Sequence, residues 1–344
     1  MTRFKGAIVG FGQVAEHGHY PAFAASDTFE IVAVAERSAE RRDVATRLHA
    51  GMRAIASLDE IADADIDFVD ICTPPALHAA PILAALERGW HVICEKPFLL
   101  ETADVDAVRR TAMRAGRAVV PVHNWKYAPL VQHATELLAA GAIGRLRRVS
   151  IETLRQRDCA VSDPERPNWR RDAAVAGGGI LMDHGWHAVY LALQWFGQPP
   201  ASVSATLHRP SAGEGAAVED EANLTLRFPT GAADIVLSWN ADVRRNRIVL
   251  TGDDGELDIA DGSLRMRGTG GEHTLAVGPA LSAGSYHVDW FALMLPDFSR
   301  AFADPDASRA LLDEAGTCLR VIQRAYEAAS KANRPFIASS IGLT

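Results

Sequence analysis

The chain has 344 residues, of which 48% are hydrophobic and 23% charged, the balance of an ordinary soluble globular protein. This length is too great for one small core and favours two domains. The formal net charge of −8 argues against a nucleic acid or an anionic membrane surface as a partner. No stretch reaches the roughly 20 apolar residues of a membrane-spanning helix, so we expect no membrane partner.

The cysteines are consistent with a reducing compartment. Cys72, Cys94, Cys159 and Cys318 are scattered and form no CxxC pair, so no disulfide framework is expected. The first residues run directly into an apolar segment and lack a signal-peptide core. We therefore expect a cytoplasmic protein.

The first third of the chain alternates strands with helices. We predict strands at residues 7–10, 31–35, 68–72, 91–94 and 118–122, and helices at residues 37–50, 76–88 and 102–115. Continuous apolar strands alternating with helices indicate a parallel sheet covered on both faces. The pattern predicts an α/β domain of Rossmann type over residues 1–122.

The rhythm changes after residue 123. We predict helices at residues 129–140, 290–302 and 308–332, and strands at residues 145–155, 202–208, 222–228, 233–239, 247–251 and 257–259. This pattern predicts a second, α+β domain over residues 123–344, with a mostly antiparallel open sheet and flanking helices. Alternation in residues 224–228 and 235–239 predicts an apolar sheet face whose burial would favour a homodimer or homotetramer.

A glycine-rich turn follows the first strand. Gly10, Gly12 and Ala15 form a GxGxxA pattern, with Gln13 and Val14 completing it. The first glycine permits a tight turn, the second allows close approach of a pyrophosphate, and the small third residue lets the helix pack against the sheet. With a strand before it and a helix after it, this turn predicts a dinucleotide site at a helix N-terminus.

The end of the second strand bears on the choice of cofactor. Glu36 stands 26 positions after Gly10, where a carboxylate can accept hydrogen bonds from the adenosine ribose hydroxyls. It would repel a 2′-phosphate, which favours NAD. Arg37, beside it, could pair with that phosphate, so NADP stays open as an alternative.

Two further regions carry a family likeness. One runs from TPPALH at residues 73–78 to EKP at residues 95–97, and the other runs from WR at residues 169–170 to GGGILMDHGWH at residues 177–187. Together with the glycine turn they resemble the glucose-fructose oxidoreductase / inositol dehydrogenase / MocA family of two-domain oxidoreductases, over nearly the whole chain.

The resemblance implies a nicotinamide-dependent oxidoreductase whose second-domain sheet serves substrate binding and oligomer contacts. It implies that Thr73, Pro74 and His78 border the nicotinamide side of the cofactor site, followed after the next strand by Glu95 and Lys96.

Three residues are candidates for the chemistry. Lys96 lies just beyond a strand end, where open α/β sheets bind ligands, and Asp183 and His187 are four apart in a helix-like stretch and share a face. The glycines at residues 177–179 would let backbone approach a ligand. We expect His187 to accept the hydroxyl proton, Lys96 to polarise or relay at the same oxygen, and Asp183 to bind the substrate.

A metal site at Asp183, His184 and His187 is the competing interpretation. In one helix His184 would point about 100° away from Asp183, and no further His or Cys stands at ligand spacing, so no metal is expected.

Further residues are expected to contact substrate. Many relatives carry an asparagine–arginine-type pair after the fifth strand, and here Asn124 and Lys126 take these positions. Trp169 and Arg170 belong to the same set. Tyr190 stands where many relatives have an aspartate, which leaves the substrate class open.

The sequence thus predicts an NAD(P)-dependent oxidoreductase acting on a secondary hydroxyl of a small molecule, namely a sugar, polyol or related cyclic alcohol. Two alternatives stay open: a glycoside hydrolase that uses NAD for transient oxidation, and a non-catalytic dinucleotide sensor. The joint presence of Lys96, Asp183 and His187 argues against the sensor.

Overall fold

The computed structural model describes residues 3–48, 51–62, 65–158, 168–210, 218–268 and 271–332. Its first sheet consists of β1 (Phe4–Val9), β2 (Phe29–Ala35), β3 (Arg53–Ile55), β4 (Phe68–Ile71), β5 (His91–Cys94) and β6 (Val119–Pro121). All pairs are parallel, in the order β3-β2-β1-β4-β5-β6. This is the order of a Rossmann fold, so the expected α/β architecture is confirmed.

Helices connect these strands. A π-helical turn over Ala15–His19 continues into α1 (Tyr20–Ala24), and the later crossovers are α2 (Ala39–Leu48), α3 (Ala79–Glu87) and α4 (Thr102–Ala115). The strand order reverses between β1 and β4. The crevice beyond the carboxyl ends of these two strands is where folds of this type bind ligands.

The second sheet has eight strands. They are β7 (Leu146–Leu154), β8 (Ser202–His208), β9 (Glu221–Phe228), β10 (Gly231–Ser238), β11 (Arg245–Gly252), β12 (Gly255–Ala260), β13 (Ser263–Gly268) and β14 (Gly271–Val277). Their order is β14-β13-β12-β11-β7-β10-β9-β8. The β7–β10 pair is parallel and the other pairs are antiparallel, which confirms the mostly antiparallel sheet.

One face of this sheet is covered from within the chain. The remaining helices are α5 (Pro129–Ala139), α6 (Ala173–Ala176), α7 (Ile180–Asp183), α8 (Gly185–Phe196), α9 (Val288–Ala303) and α10 (Pro305–Ala332). Nearly every side chain of α8 is buried, and this helix contacts β7, β10 and α10. Leu224, Leu226, Phe228, Ile235 and Leu237 therefore pack inside the chain. The expectation that they need a partner subunit was wrong.

The opposite face of the sheet is polar. It carries ion pairs between neighbouring strands, including Arg148–Asp234, Arg245–Glu152 and Arg247–Asp258. Such cross-strand pairs of opposite charge suit a solvated surface.

The last two helices return to the first sheet. Phe291 of α9 packs edge-on against Phe23 of α1, with ring centroids 5.3 Å apart. Helix α10 contacts both β6 and β8, so it joins the two sheets. In the described part of the chain no helix combines the length and apolar character needed to cross a membrane.

Candidate active site

The first group of site residues lies along one edge of the parallel sheet. Gly10 follows β1, Glu36 follows β2, Thr73 follows β4 and Lys96 follows β5. Because the carboxyl ends of parallel strands share an edge, residues predicted separately from the sequence come together there.

The glycine turn has the shape that a pyrophosphate requires. Gly10 has φ +83°, and a Cβ there would lie 2.8 Å from Cγ2 of Thr73, so no other residue fits without strain. At Gly12, which is exposed, a Cβ would meet nothing within 4 Å, so the space above the turn is open. Ala15 is fully buried, and Gln13 accepts a hydrogen bond from Tyr286 at 3.4 Å. These residues fit a dinucleotide, with Val14 half-buried beside them.

Backbone donors hold Glu36 at the ribose end of this edge. Oε2 accepts a hydrogen bond from the N–H of Phe11 at 2.7 Å, and Oε1 accepts one from the N–H of Ser38 at 2.8 Å. Two carboxylate oxygens provide further lone pairs for ribose hydroxyls.

Two nearby arginines are committed to other partners. Arg41 donates to the carbonyl of Phe11 at 2.7 Å and to Glu16 at 2.6 Å. Arg42 donates to the carbonyls of Glu36 and Arg37 at 2.7 and 2.8 Å. The side chain of Arg37 is exposed.

His78 supports the cofactor edge from below. It is fully buried, and its ring nitrogens lie 2.9 Å from the carbonyl oxygen of Phe98 and 2.6 Å from that of Thr73. Burial lowers its pKa. The side chain therefore ties the turn after β4 to the turn after β5, and acts on Thr73 and Pro74 rather than touching a cofactor itself.

A buried charged network lies behind the glycine turn. Nδ1 of His19 is 2.8 Å from Asp70 and Nε2 is 3.0 Å from Glu95. Glu95 also accepts a hydrogen bond from the N–H of Lys96 at 2.9 Å. Burial by itself lowers the pKa of His19, but Asp70 and Cys72 outweigh it and raise the pKa well above its usual value. His19 is thus an imidazolium between two carboxylates, a feature that sequence reasoning missed.

The same cluster is a geometric candidate for a metal. His19, Asp70 and Cys72 offer ligand atoms within 4.8 Å of one another. Both ring nitrogens of His19 already bond carboxylates, and burial raises the pKa of the Cys72 thiol to about 12, which disfavours a thiolate ligand. These donors therefore suit an ion-pair network.

Lys96 and Asp183 meet across the two parts of the chain. Nζ of Lys96 donates to Oδ1 of Asp183 at 2.6 Å and to its carbonyl oxygen at 3.1 Å. Both side chains are mostly buried, with exposed fractions of 18% and 15%. Burial by itself raises the pKa of Asp183, but Lys96 and Arg170 outweigh it and hold the pKa well below the usual carboxyl range. This is an ionised pair at the end of β5.

His187 lies in α8, whereas Asp183 ends α7, because the chain breaks between the two helices at His184. The His187 ring stacks on Trp125, with centroids 4.6 Å apart and planes 10° apart, and Nδ1 is 2.8 Å from the Tyr190 hydroxyl. Burial lowers the pKa of His187 well below its usual value, and the charge of Lys96 lowers it further. The imidazole is neutral at working pH.

His184 is engaged elsewhere. Its Nδ1 accepts a hydrogen bond from the indole N–H of Trp239 at 3.4 Å and lies 3.4 Å from Oδ2 of Asp183. Burial lowers the pKa of His184 to about 3.

A cleft with about 210 Å³ of empty space opens on Asp183. It is lined by Pro75, Pro97, Trp169, Arg170, Ala176, Gly178, Asp183 and Trp239. The guanidinium of Arg170 stacks over Trp169 at 4.2 Å, and its Nε lies 3.6 Å from Oδ2 of Asp183. The structure thus brings both residues, expected as substrate contacts, to the catalytic pair.

Asn124 and Lys126 differ in their surroundings. Oδ1 of Asn124 is buried and has no hydrogen-bond partner within the described ranges, so it can receive a ligand donor. Nζ of Lys126 instead donates to Glu314 of α10 at 2.6 Å, and Glu314 also accepts from His123 at 2.8 Å. Lys126 therefore reaches the site only indirectly, by way of its position 5.8 Å over the Tyr190 ring.

Glu219 is a supporting residue that sequence reasoning missed. Its Oε1 accepts from the N–H groups of Gly179 and Leu181 and from the hydroxyl of Tyr326, at 2.8–3.0 Å. It thereby satisfies the first turn of α7, which carries Asp183. A Cβ on Gly179 would lie 1.8 Å from the carbonyl oxygen of Glu219, and one on Gly178 would lie 1.9 Å from the Tyr326 hydroxyl. The glycine run is therefore required by packing within the protein, contrary to the expected approach of a ligand.

Comparison with known proteins places both parts of the chain. A family model described as oxidoreductase family, NAD-binding Rossmann fold, matches residues 4–123. A second, described as GFO/IDH/MocA C-terminal domain, matches residues 131–258.

Individual relatives agree with these matches. The chain is 30% identical to D-apiose dehydrogenase of Paraburkholderia graminis over 77% of its own length and 68% of that protein. It is 34% identical to levoglucosan dehydrogenase of Pseudarthrobacter phenanthrenivorans, over 59% of the chain and 56% of the relative. The structure of aldose-aldose oxidoreductase from Caulobacter crescentus, complexed with glycerol, superimposes with a TM-score of 0.83 at 26% identity, covering 96% and 98% of the two chains.

Proposed function

We propose that this chain, which belongs to the GFO/IDH/MocA oxidoreductase family, transfers a hydride between NAD and a secondary hydroxyl of a sugar, polyol or related cyclic alcohol. The carrying observation is the Lys96–Asp183 ion pair, which stands at the carboxyl end of β5 and borders the cleft. Relatives named for D-apiose and levoglucosan support a sugar as the substrate class.

Residues 1–122 would hold the dinucleotide, through the glycine turn and Glu36, and residues 123–344 would complete the substrate site. The nicotinamide, when bound, supplies the hydride acceptor. Lys96, Asp183 and His187 are the catalytic residues of the proposal. Lys96 and Asp183 would orient the reacting hydroxyl, and Asn124, with its free carbonyl oxygen, would hold a neighbouring hydroxyl.

Trp169 and Arg170 would form the outer wall of the substrate site. A planar indole edge and a stacked guanidinium suit the apolar face and the hydroxyls of a sugar ring. Both line the cleft next to Asp183.

The preference for NAD over NADP belongs to the same proposal. Glu36 presents a carboxylate where a 2′-phosphate would lie. Arg41 and Arg42 are both bonded to neighbouring backbone, which leaves the exposed Arg37 as the nearby cation for a 2′-phosphate. The carboxylate favours NAD.

The test is NADH formation, followed by absorbance, with NAD or NADP and a panel of D-apiose, levoglucosan, D-glucose and myo-inositol. NADH formation with at least one sugar, lost in Lys96→Met, supports the proposal. Cleavage of a glycoside without net NADH formation would indicate redox-assisted hydrolysis instead. NAD binding without turnover of any kind would indicate a sensor.

We also propose a cytoplasmic homodimer or homotetramer. The described cysteines Cys72, Cys94 and Cys318 are free and buried, which suits a reducing compartment, while Cys159 lies outside the described residues. The polar face of the eight-stranded sheet, with its cross-strand ion pairs, would be the subunit contact. Light scattering tests the assembly, and a monomeric mass would contradict it.

A further inference from the structure

Tyr190 lies directly behind His187, and its hydroxyl oxygen has two hydrogen-bond partners. The backbone N–H of Trp125 donates to this oxygen at 3.0 Å. Nδ1 of His187 lies 2.8 Å from it. Tyr190 is 0% exposed, so its hydroxyl hydrogen cannot be satisfied by bulk water.

This hydrogen needs an acceptor inside the protein, and within the described ranges Nδ1 of His187 is the one in reach. The ring of His123 stacks on the phenol face at 4.2 Å, but its nitrogens are bonded to Glu314 and to the indole N–H of Trp186. If Nδ1 of His187 carried a proton, the phenol hydrogen would be stranded. The cost of an unsatisfied buried donor disfavours that tautomer by about tenfold or more.

We propose that Tyr190 is a positioning residue that holds His187 in the tautomer with its proton on Nε2. In this tautomer His187 donates a hydrogen bond to the substrate oxygen and does not accept the hydroxyl proton, the reverse of the role expected from the sequence. This assignment rests on the proposed oxidoreductase function. During oxidation the hydroxyl proton passes to Nζ of neutral Lys96 and the hydride leaves the same carbon for the nicotinamide, while His187 keeps its proton.

The surroundings fix the ring in this arrangement. Trp125 stacks parallel to the imidazole and also donates to Tyr190, so one residue sets both the ring plane and the direction of the phenol hydrogen bond. The charged and titratable groups that act on His187 are Lys96, Asp183, His184 and His123.

The tautomer can be observed in the free protein by long-range ¹H–¹⁵N NMR of the chain labelled with ¹⁵N-histidine. His187→Gln identifies the His187 signals by their loss. We expect the wild-type spectrum to show a protonated Nε2 and an unprotonated Nδ1, and Tyr190→Phe to give a mixture of tautomers. A protonated Nδ1 in the wild type, or averaged signals there, would overturn the proposal. The wild-type spectrum decides even where Tyr190→Phe does not fold.

Kinetics give a second arm, using the sugar of the panel that the wild type oxidises fastest. Gln places an amide N–H near the position of Nε2, whereas Asn places one near Nδ1. We expect His187→Gln to keep kcat within about tenfold of the wild type, and His187→Asn and His187→Ala to lose about 10²–10³. Equal losses in all three would contradict the donor role. Because the NMR measurement needs no turnover, failure of the sugar oxidation and failure of the tautomer assignment are told apart.

Discussion

The pairing of Lys96 with Asp183 allows a quantitative prediction. Their charged atoms are 2.6 Å apart, and both side chains are more than four-fifths buried. Removing one partner of a buried pair leaves an uncompensated charge and costs about 3–5 kcal/mol of unfolding free energy. We expect Lys96→Met at the upper end of that range, because Asp183 would then keep only Arg170, 3.6 Å away.

The double variant isolates the pair. Lys96→Met combined with Asp183→Asn removes both charges, so its loss should be smaller than the sum of the single losses by about 2 kcal/mol or more. Urea denaturation at neutral pH measures each free energy. The matched control is Arg53→Met with Asp65→Asn, an ion pair at 3.0 Å whose side chains are 50% and 46% exposed. Its coupling should stay below about 1 kcal/mol.

The same cycle has a defined pH dependence. The pKa of Asp183 is held well below its usual range, so its contribution to stability is complete above the ordinary carboxyl value of about 3.9 and is lost as the pH falls through the lowered value. Coupling should therefore be the same at about pH 5 and pH 7. Losses that add within about 0.5 kcal/mol, or coupling that already disappears near pH 5, would refute a buried ionised pair.

Three further perturbations test other parts of the site. Glu36→Gln should weaken NAD binding about tenfold or more by calorimetric titration and reduce the preference over NADP, whereas Arg37→Gln should leave NAD binding nearly unchanged; equal effects would contradict the ribose assignment. His19→Gln should cost about 3 kcal/mol of unfolding free energy. Because the pKa of His19 is raised in the folded protein, this contribution is complete below about pH 6.5 and is lost as the pH rises through the raised value, so identical pH profiles of the wild type and the variant would argue against an imidazolium. Glu219→Gln keeps an acceptor oxygen and should cost about 1 kcal/mol, whereas Glu219→Leu strands three donors and should cost about 3 kcal/mol or more; equal denaturation midpoints would contradict the capping role.

The sequence was most informative where an element is apolar and local. The predicted strand at residues 91–94 and the predicted helix at residues 102–115 match β5 and α4 in full, because the strand is buried on both faces and Gly116 ends the helix at φ +60°. β3, β13 and β14 were missed. They lie at or near sheet edges, where residues such as Arg265, Arg267 and Glu272 face solvent and leave no apolar pattern to find.

The candidate site was predictable only as a set of residue types. Lys96, Asp183 and His187 were named from motifs, but the direction of the Tyr190 hydrogen bond depends on the backbone N–H of Trp125, 65 positions away. His19 gave no signal because a single histidine after a glycine turn has no periodicity. Its carboxylate partners arrive from β4 and the end of β5, and only the folded sheet brings them together.

Helix α10 has no residue in the cleft, yet it fixes the geometry there from two points. Glu314 bonds His123, whose ring stacks on Tyr190, and so supports the residue that orients His187. One to two turns from the end of the same helix, Tyr326 bonds Glu219, which caps the helix that carries Asp183. Since α10 also packs against β6 of the nucleotide-binding sheet, it sets the position of the substrate residues relative to the cofactor edge. Precision at the reacting carbon thus depends on a helix outside the cleft.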